Sequence, residues 1–262
     1  MVNILINNFL DGRGACYLAY SRPLNVLYLV NDSGTGLLAG LALNGGGSIG
    51  NSQCTIGGAG SSASGVGNTL TLTLNIMFGA SFAGDKVVYL AAGDVTGRDS
   101  GWMPSGVWQV PGSASAVTTT VTGMSPSNTA VYSQPYTFTF TDTKGYQDIG
   151  VVDILVNDYL NGNQACYIAY ARPINALYLV NDAGTALSPG LILNGSGSVS
   201  NSQCTITAAG SAVTGAGNTL TVTLNIAFSG SFYANRIFYL AARDVNEANT
   251  TGWQSLGAWI VR

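Results

Sequence analysis

The sequence predicts an all-β protein built from two tandem β-sandwiches. Three observations carry this. First, the chain writes nearly the same line twice, "ACYLAYSRPLNVLYLVNDSGT" at 15–35 and "ACYIAYARPINALYLVNDAGT" at 165–185. Second, its apolar residues alternate with polar ones, and no stretch carries an apolar stripe at helical spacing. Third, four cysteines fall in two matched pairs, each 38 residues apart.

The repeat fixes the organisation. Val2–Ala92 aligns with Val152–Ala242 without a gap, with 56 identities in 91 positions. A one-residue insertion follows, after which Gly101–Trp102 matches Gly252–Trp253 and Trp108 matches Trp259. Identity at this density means duplication. The predicted domains are 1–111 and 112–262, the second opening on a small-residue linker at 112–116.

Each element has a local reason. "TLTLTLNIMF" (69–78) and "TLTVTLNIAF" (219–228) alternate with period two, the pattern of a strand with one buried face. "VVDILV", "CYIAYA", "ALYLV" and "RIFYLAA" are short runs rich in β-branched and aromatic residues. "NDAGT", "AAGSAVTGAGN" and "NEANTTG" between them have turn and loop composition. About seven to nine short strands per copy suit a sandwich.

The second copy has a preface, "VTTTVTGM" and "YTFTFTDTKGYQDIG", which reads as its first strands. The first copy begins at Met1, opposite Val151, and reads as a sandwich lacking its N-terminal strand or strands. Three origins fit: a cut gene, a start placed at a Val codon of a longer array, or strands supplied by a neighbouring chain.

Composition narrows the function. Charged residues are 8% of 262, the net charge is -3, and glycine is frequent at 35 residues. This uncharged polar surface is common on exported proteins and offers no basic patch for nucleic acid. No apolar run is long enough to span a membrane as a helix. No N-terminal stretch reads as a signal peptide, so an export signal would lie outside this chain. Cys16–Cys54 and Cys166–Cys204 are the natural disulfides, with buried free thiols as the alternative. The expected location is extracellular or on a cell surface.

With no histidine in the chain, Ser-His-Asp and Cys-His catalysis and a zinc site fall away. No nucleophile or phosphate-loop motif is present, and neither enzymatic activity nor a cofactor is expected. Asp32 and Asp182, in "ND-x-G-T", read as turn residues; Asp94 and Asp244 read as strand-end caps. Asn31, Asp32 and Asp94 also carry oxygens of the kind calcium takes, although two carboxylates are few. Arg22 and Arg172, in "Y-x-R-P", read as ion-pair partners of a matched Asp, or as ligand-facing cations.

The aromatic residues bear on binding. Tyr17, Tyr20 and Tyr28 recur as Tyr167, Tyr170 and Tyr178. Tyr17 and Tyr20 lie on opposite faces of their strand, so some of these rings should be exposed. Trp102 and Trp253 follow a glycine in loop-like sequence. With Tyr17 and Tyr167 they are the candidate platforms for a sugar or a protein surface. Trp108 and Trp259 lie in strand patterns and read as core.

The stretches "NSQCTI…GNTLTLTLNI…KVVYLAA…SGW…GVW" resemble the Ig-like and fibronectin-III-like modules found in tandem in large exported bacterial proteins. The resemblance covers both copies. It implies a spacer, stalk, adhesive or filament-forming role, with neighbouring copies as partners and strand donation between chains as one mode of contact. A carbohydrate-binding pair is the alternative. The cysteine placement departs from that of antibody domains, so their buried inter-sheet disulfide is not implied.

Overall fold

The computed structural model describes residues 1–112, 118–193 and 195–260. The chain divides into two compact units, Met1–Ala114 and Ser115–Arg262. The expected linker lies, apart from Gly112, outside the described residues.

Unit 1 holds β1 (Val2–Asn7), β2 (Cys16–Ser21), β3 (Val26–Leu29), β4 (Leu41–Ala42), β5 (Ser48–Gly50), β6 (Cys54–Val66), β7 (Thr69–Phe78), β8 (Gly84–Ala92) and β9 (Met103–Val110). One sheet runs β4-β3-β2-β1-β8-β9 and the other β5-β6-β7. Unit 2 opens with the preface strands β10 (Thr119–Ser125), β11 (Asn128–Thr129) and β12 (Ser133–Asp142). The repeat follows as β13 (Ile149–Asn157), β14 (Cys166–Ala171), β15 (Ala176–Leu179), β16 (Leu191–Ile192), β17 (Ser198–Ser200), β18 (Cys204–Ala216), β19 (Thr219–Phe228), β20 (Arg236–Asp244) and β21 (Gln254–Trp259). Its sheets are β11-β21-β20-β13-β14-β15-β16 and β10-β12-β19-β18-β17.

The core of unit 2 lies between its two sheets. Tyr136, Phe138 and Phe140 of β12 point inward, beside Leu220, Val222 and Leu224 of β19 and opposite Ile154, Phe238 and Leu240. The period-two alternation is thus read out directly: aromatic and aliphatic residues in, threonines out. Each disulfide ties one sheet to the other. Cys166 on β14 bonds Cys204 on β18, with Cα atoms 5.6 Å apart, and Cys16 on β2 bonds Cys54 on β6 at the same separation. Both bonds are buried. These are the two pairs expected from the matched spacing, and each bond runs between the sheets. Closing a loop of this size contributes roughly 4 kcal/mol in the chain-entropy model.

A second device recurs in both units. Asn51 donates to the carbonyls of Ala15 and Val30, and its side-chain oxygen accepts from the backbone N–H groups of Gln53 and Cys54. Asn201 does the same with Ala165, Val180, Gln203 and Cys204. One amide therefore holds the loop before the second cysteine against the first cysteine's strand.

The units differ where the preface acts. β12 pairs antiparallel with β19, from Ser133↔Ala227 to Thr141↔Thr219, and β10 pairs with β12. In unit 1 the matching strand β7 stands at the edge of a three-stranded sheet. Its Leu70, Leu72, Leu74 and Ile76 are half-exposed, whereas Leu220, Val222, Leu224 and Ile226 are buried. Trp259 is 0% exposed, with its indole N–H donated to the carbonyl of Val131. Trp108 is 51% exposed. The expectation that both are core therefore holds for Trp259 and fails for Trp108. The reason is that Trp259 is covered by Tyr132 and packs against Phe228 and Phe232.

Candidate functional site

The aromatic residues singled out in the sequence meet in pairs. Tyr17 projects from β2, and Trp102 follows Gly101, whose φ of +67° is the left-handed conformation that glycine adopts without strain. The turn carries the indole onto Tyr17, with ring centroids 5.6 Å apart and planes at 71°. Tyr167 and Trp253 repeat this at 5.7 Å and 72°, after Gly252 at φ +66°. Edge-to-face contact is the favourable geometry for such rings. All four are half-buried, so each pair is a braced corner and not a free platform. Of the other tyrosines, Tyr28 and Tyr178 are half-buried. Tyr20 and Tyr170 are buried, and their hydroxyls donate to Asn25 and Asn175.

Unit 2 adds charge to its corner. Asp153 on β13 lies 3.1 Å from Arg243 on β20 and accepts a 3.4 Å hydrogen bond from the Tyr167 hydroxyl. Together with Ala241, Thr250 and Trp253 these residues line a cavity of about 170 Å³. Burial raises the Asp153 carboxyl above its ordinary value, and Arg243 offsets part of that rise. The Tyr167 phenol is pushed up to about 12, first by burial and then by the Asp153 charge. The cavity therefore offers a fixed ion pair, a hydroxyl and an indole to a small polar group. Unit 1 has Asn3 and Gly93 at the positions of Asp153 and Arg243. The sequence reading passed over this pair; the signal for it was that both positions gain charge together in the second copy.

A different feature marks unit 1. Beside β7 lies an apolar groove of about 670 Å³, lined by Val2, Ile4, Arg22, Leu70, Leu72 and Met103 among others. Leu90 on its wall is 39% exposed, while its counterpart Leu240 is 0% exposed.

The remaining candidates have local duties. The Asn31 side-chain oxygen accepts from the N–H groups of Thr35 and Gly36, so the turn assigned to Asp32 is made by its neighbour. Asp32 instead reaches the N–H of Ser52, as Asp182 does that of Ser202. Asp94 closes a turn by accepting from Thr96 and Arg98, and Asp244 does so from Asn246 and Ala248. Asp32 and Asp94 lie near opposite ends of β1: the Asp32 carbonyl binds Gly14 beyond Asn7, and Gly93 binds Met1. A strand of that length separates them by roughly 17 Å, so Asn31, Asp32 and Asp94 are not brought together as a calcium site. Arg172 is not an ion-pair partner of a matched Asp either. It donates to the backbone carbonyls of Gln147 and Ile149, at the end of the preface. The Arg22 side chain makes no hydrogen bond or ion pair among the described residues and is exposed along the groove.

Among the described residues no group of three or more His, Cys, Asp or Glu side chains is placed to hold a metal ion. Among the described residues no helix is long and apolar enough to cross a membrane. Two disulfides fit an oxidising compartment. No protein-family model matches the sequence, and no curated protein matches it.

Proposed function

We propose that this chain is a non-enzymatic structural or adhesive tandem module of an exported bacterial surface or filament-forming protein, of Ig-like or fibronectin-III-like type, working outside the cell. The observation that carries the reading is a contrast between the two units. What they share is scaffold: the inter-sheet disulfide, the asparagine clamp behind it and the turn after β3 or β15 recur with the same partners. What they do not share, besides the preface strands, is the charged lining of the aromatic corner. Duplication has kept the framework and let the pocket diverge, as suits a protein whose use lies in length, multiplicity and displayed loops.

The test is to display the 262-residue chain on cells that do not adhere and to score cell–cell and cell–surface attachment, beside a panel of ester and glycoside substrates. Attachment that persists in Tyr167→Ala and Trp253→Ala supports the reading. Turnover of a substrate that Asp153→Asn abolishes refutes it.

A second reading, a carbohydrate-binding module pair, rests on the unit 2 cavity, where Trp253, Tyr167 and Asp153 combine aromatic rings with hydrogen-bonding groups. A glycan-array screen decides it. Binding lost in Trp253→Ala and kept in Trp102→Ala places the sugar there.

A further inference from the structure

We infer that unit 1 is a strand receptor: the groove beside β7 takes up a polypeptide segment with the pattern of residues 118–149, seated as that segment is seated on unit 2. Unit 2 serves as the template. There β12 adds antiparallel to β19, and Tyr136, Phe138 and Phe140 enter the core, while β10 lies outside β12 and brings Val121 and Met124 against it.

Unit 1 has kept the receiving half of this contact. Gly215 sits where an added Cβ would fall 2.2 Å from the Tyr146 ring, and Gly257 where it would fall 2.4 Å from the Met124 sulfur. Both glycines are required by preface side chains. Their counterparts Gly65 and Gly106 are glycine too, yet an added Cβ would meet only the distant Arg22 guanidinium and a Thr69 carbonyl, both at 3.9 Å, at Gly65 and nothing at Gly106. Arg172 clamps two preface carbonyls, and Arg22 is present in unit 1 without them. Trp259 is covered by the preface, and Trp108 is present and half bare. The five inward positions of β7, Leu70, Leu72, Leu74, Ile76 and Phe78, remain apolar although half-exposed. The edge of β7 also carries none of the lysines, prolines or inward charges that ordinarily block strand addition.

These features select the occupant. The free edge requires an extended backbone running antiparallel to Thr69–Phe78. The groove requires large apolar side chains at every second position, as in "YTFTFT". Arg22 requires two backbone carbonyls just beyond the strand, as Gln147 and Ile149 supply to Arg172. A detergent or lipid chain satisfies only the second requirement. A second copy of this chain has already committed its own 118–149 to its unit 2. The occupant is therefore a further polypeptide of this repeat pattern, from outside residues 1–262.

The experiment adds a synthetic peptide of residues 118–149 to the full chain. Expected are one peptide bound per chain, a blue shift of indole emission that disappears in Trp108→Phe, and slower amide exchange in β7. A peptide carrying Phe138→Asp and Phe140→Asp binds at least about a hundredfold more weakly, since each would bury an unpaired charge. Arg22→Ala weakens binding of the native peptide. Fusing residues 112–151 ahead of Met1 fills the groove and abolishes binding. If unit 1 of the free chain is unfolded, oxidative refolding with the peptide present restores it. No binding and no rescue overturns the inference, as does equal affinity for the two peptides. So does a free chain that already self-associates by exchanging its own 118–149, or a fusion that leaves peptide binding intact.

Discussion

Replacing Trp259 and Trp108 by alanine, one at a time, applies the same change to matched positions of the two units. Trp259 is fully buried; its ring lies 5.0 Å from Tyr132, 4.8 Å from Phe228 and 6.3 Å from Phe232, and its N–H donates to Val131 at 3.0 Å. Truncating a buried Trp costs about 3–5 kcal/mol, and the carbonyl left without its donor adds about 1 kcal/mol. Trp108 is half-exposed and pairs with none of these rings. Burying half of such a side chain, roughly 75–125 Å² at about 25 cal/mol per Å², is worth about 2 kcal/mol. The expected difference is therefore about 3 kcal/mol, a large share of the roughly 5–15 kcal/mol by which a domain is stable. Urea unfolding of the full chain, followed by amide exchange with mass spectrometry so that β7 and β19 report their own units, measures both values. Equal costs at the two positions, or a cost below about 1 kcal/mol at Trp259, would refute the account of how the preface completes unit 2.

Other substitutions probe the same contrast and the shared scaffold. Gly215→Ala drives a methyl into the Tyr146 ring and should lower unit 2 stability by about 1–3 kcal/mol, while Gly65→Ala, whose added methyl meets nothing closer than 3.9 Å, leaves unit 1 within about 0.5 kcal/mol in the same urea assay. Asn201→Ala removes four hydrogen bonds around the second cysteine. It should destabilise unit 2 by about 2–3 kcal/mol, and a loss below about 0.5 kcal/mol in the same urea assay would contradict the role given to the amide. Because the Tyr167 phenol is raised, its stabilising contribution is complete below the ordinary tyrosine value and is lost as pH climbs towards about 12. Ultraviolet titration should show a tyrosine ionising near pH 12 that is missing in Tyr167→Phe, and unit 2 of that variant should resist alkali better than the parent chain.

Much of the fold was legible because strand alternation and cysteine spacing are local. "TLTVTLNIAF" and "YTFTFTD" state their buried faces outright, and two cysteine pairs at identical spacing leave little choice of partner. What the sequence could not state was coverage. Trp108 and Trp259 sit in the same pattern, and only strands from elsewhere in the chain decide which is buried. Arg172 was misread because its partners are backbone carbonyls, which leave no mark in sequence. Asp32 was credited with a turn that Asn31 makes, since adjacent Asn and Asp have the same chemistry and only the backbone direction separates them. The pairing of Tyr17 with Trp102 spans 85 positions and depends on a left-handed glycine turn. The sequence marked both residues as candidates but could not bring them together.

The inter-sheet disulfides also set how far the chain can be stretched. When a tether is pulled from its two ends, tension passes through Cys166 to Cys204 by the sulfur bridge, and the intervening segment carries no load. That segment covers a sequence separation of 38, or about 130 Å of contour at roughly 3.4 Å per residue. Each unit thus withholds this length until a reductant releases it. An array of such units would pay out less chain per rupture in an oxidising medium than in a reducing one, and its extensibility would report the redox state around it.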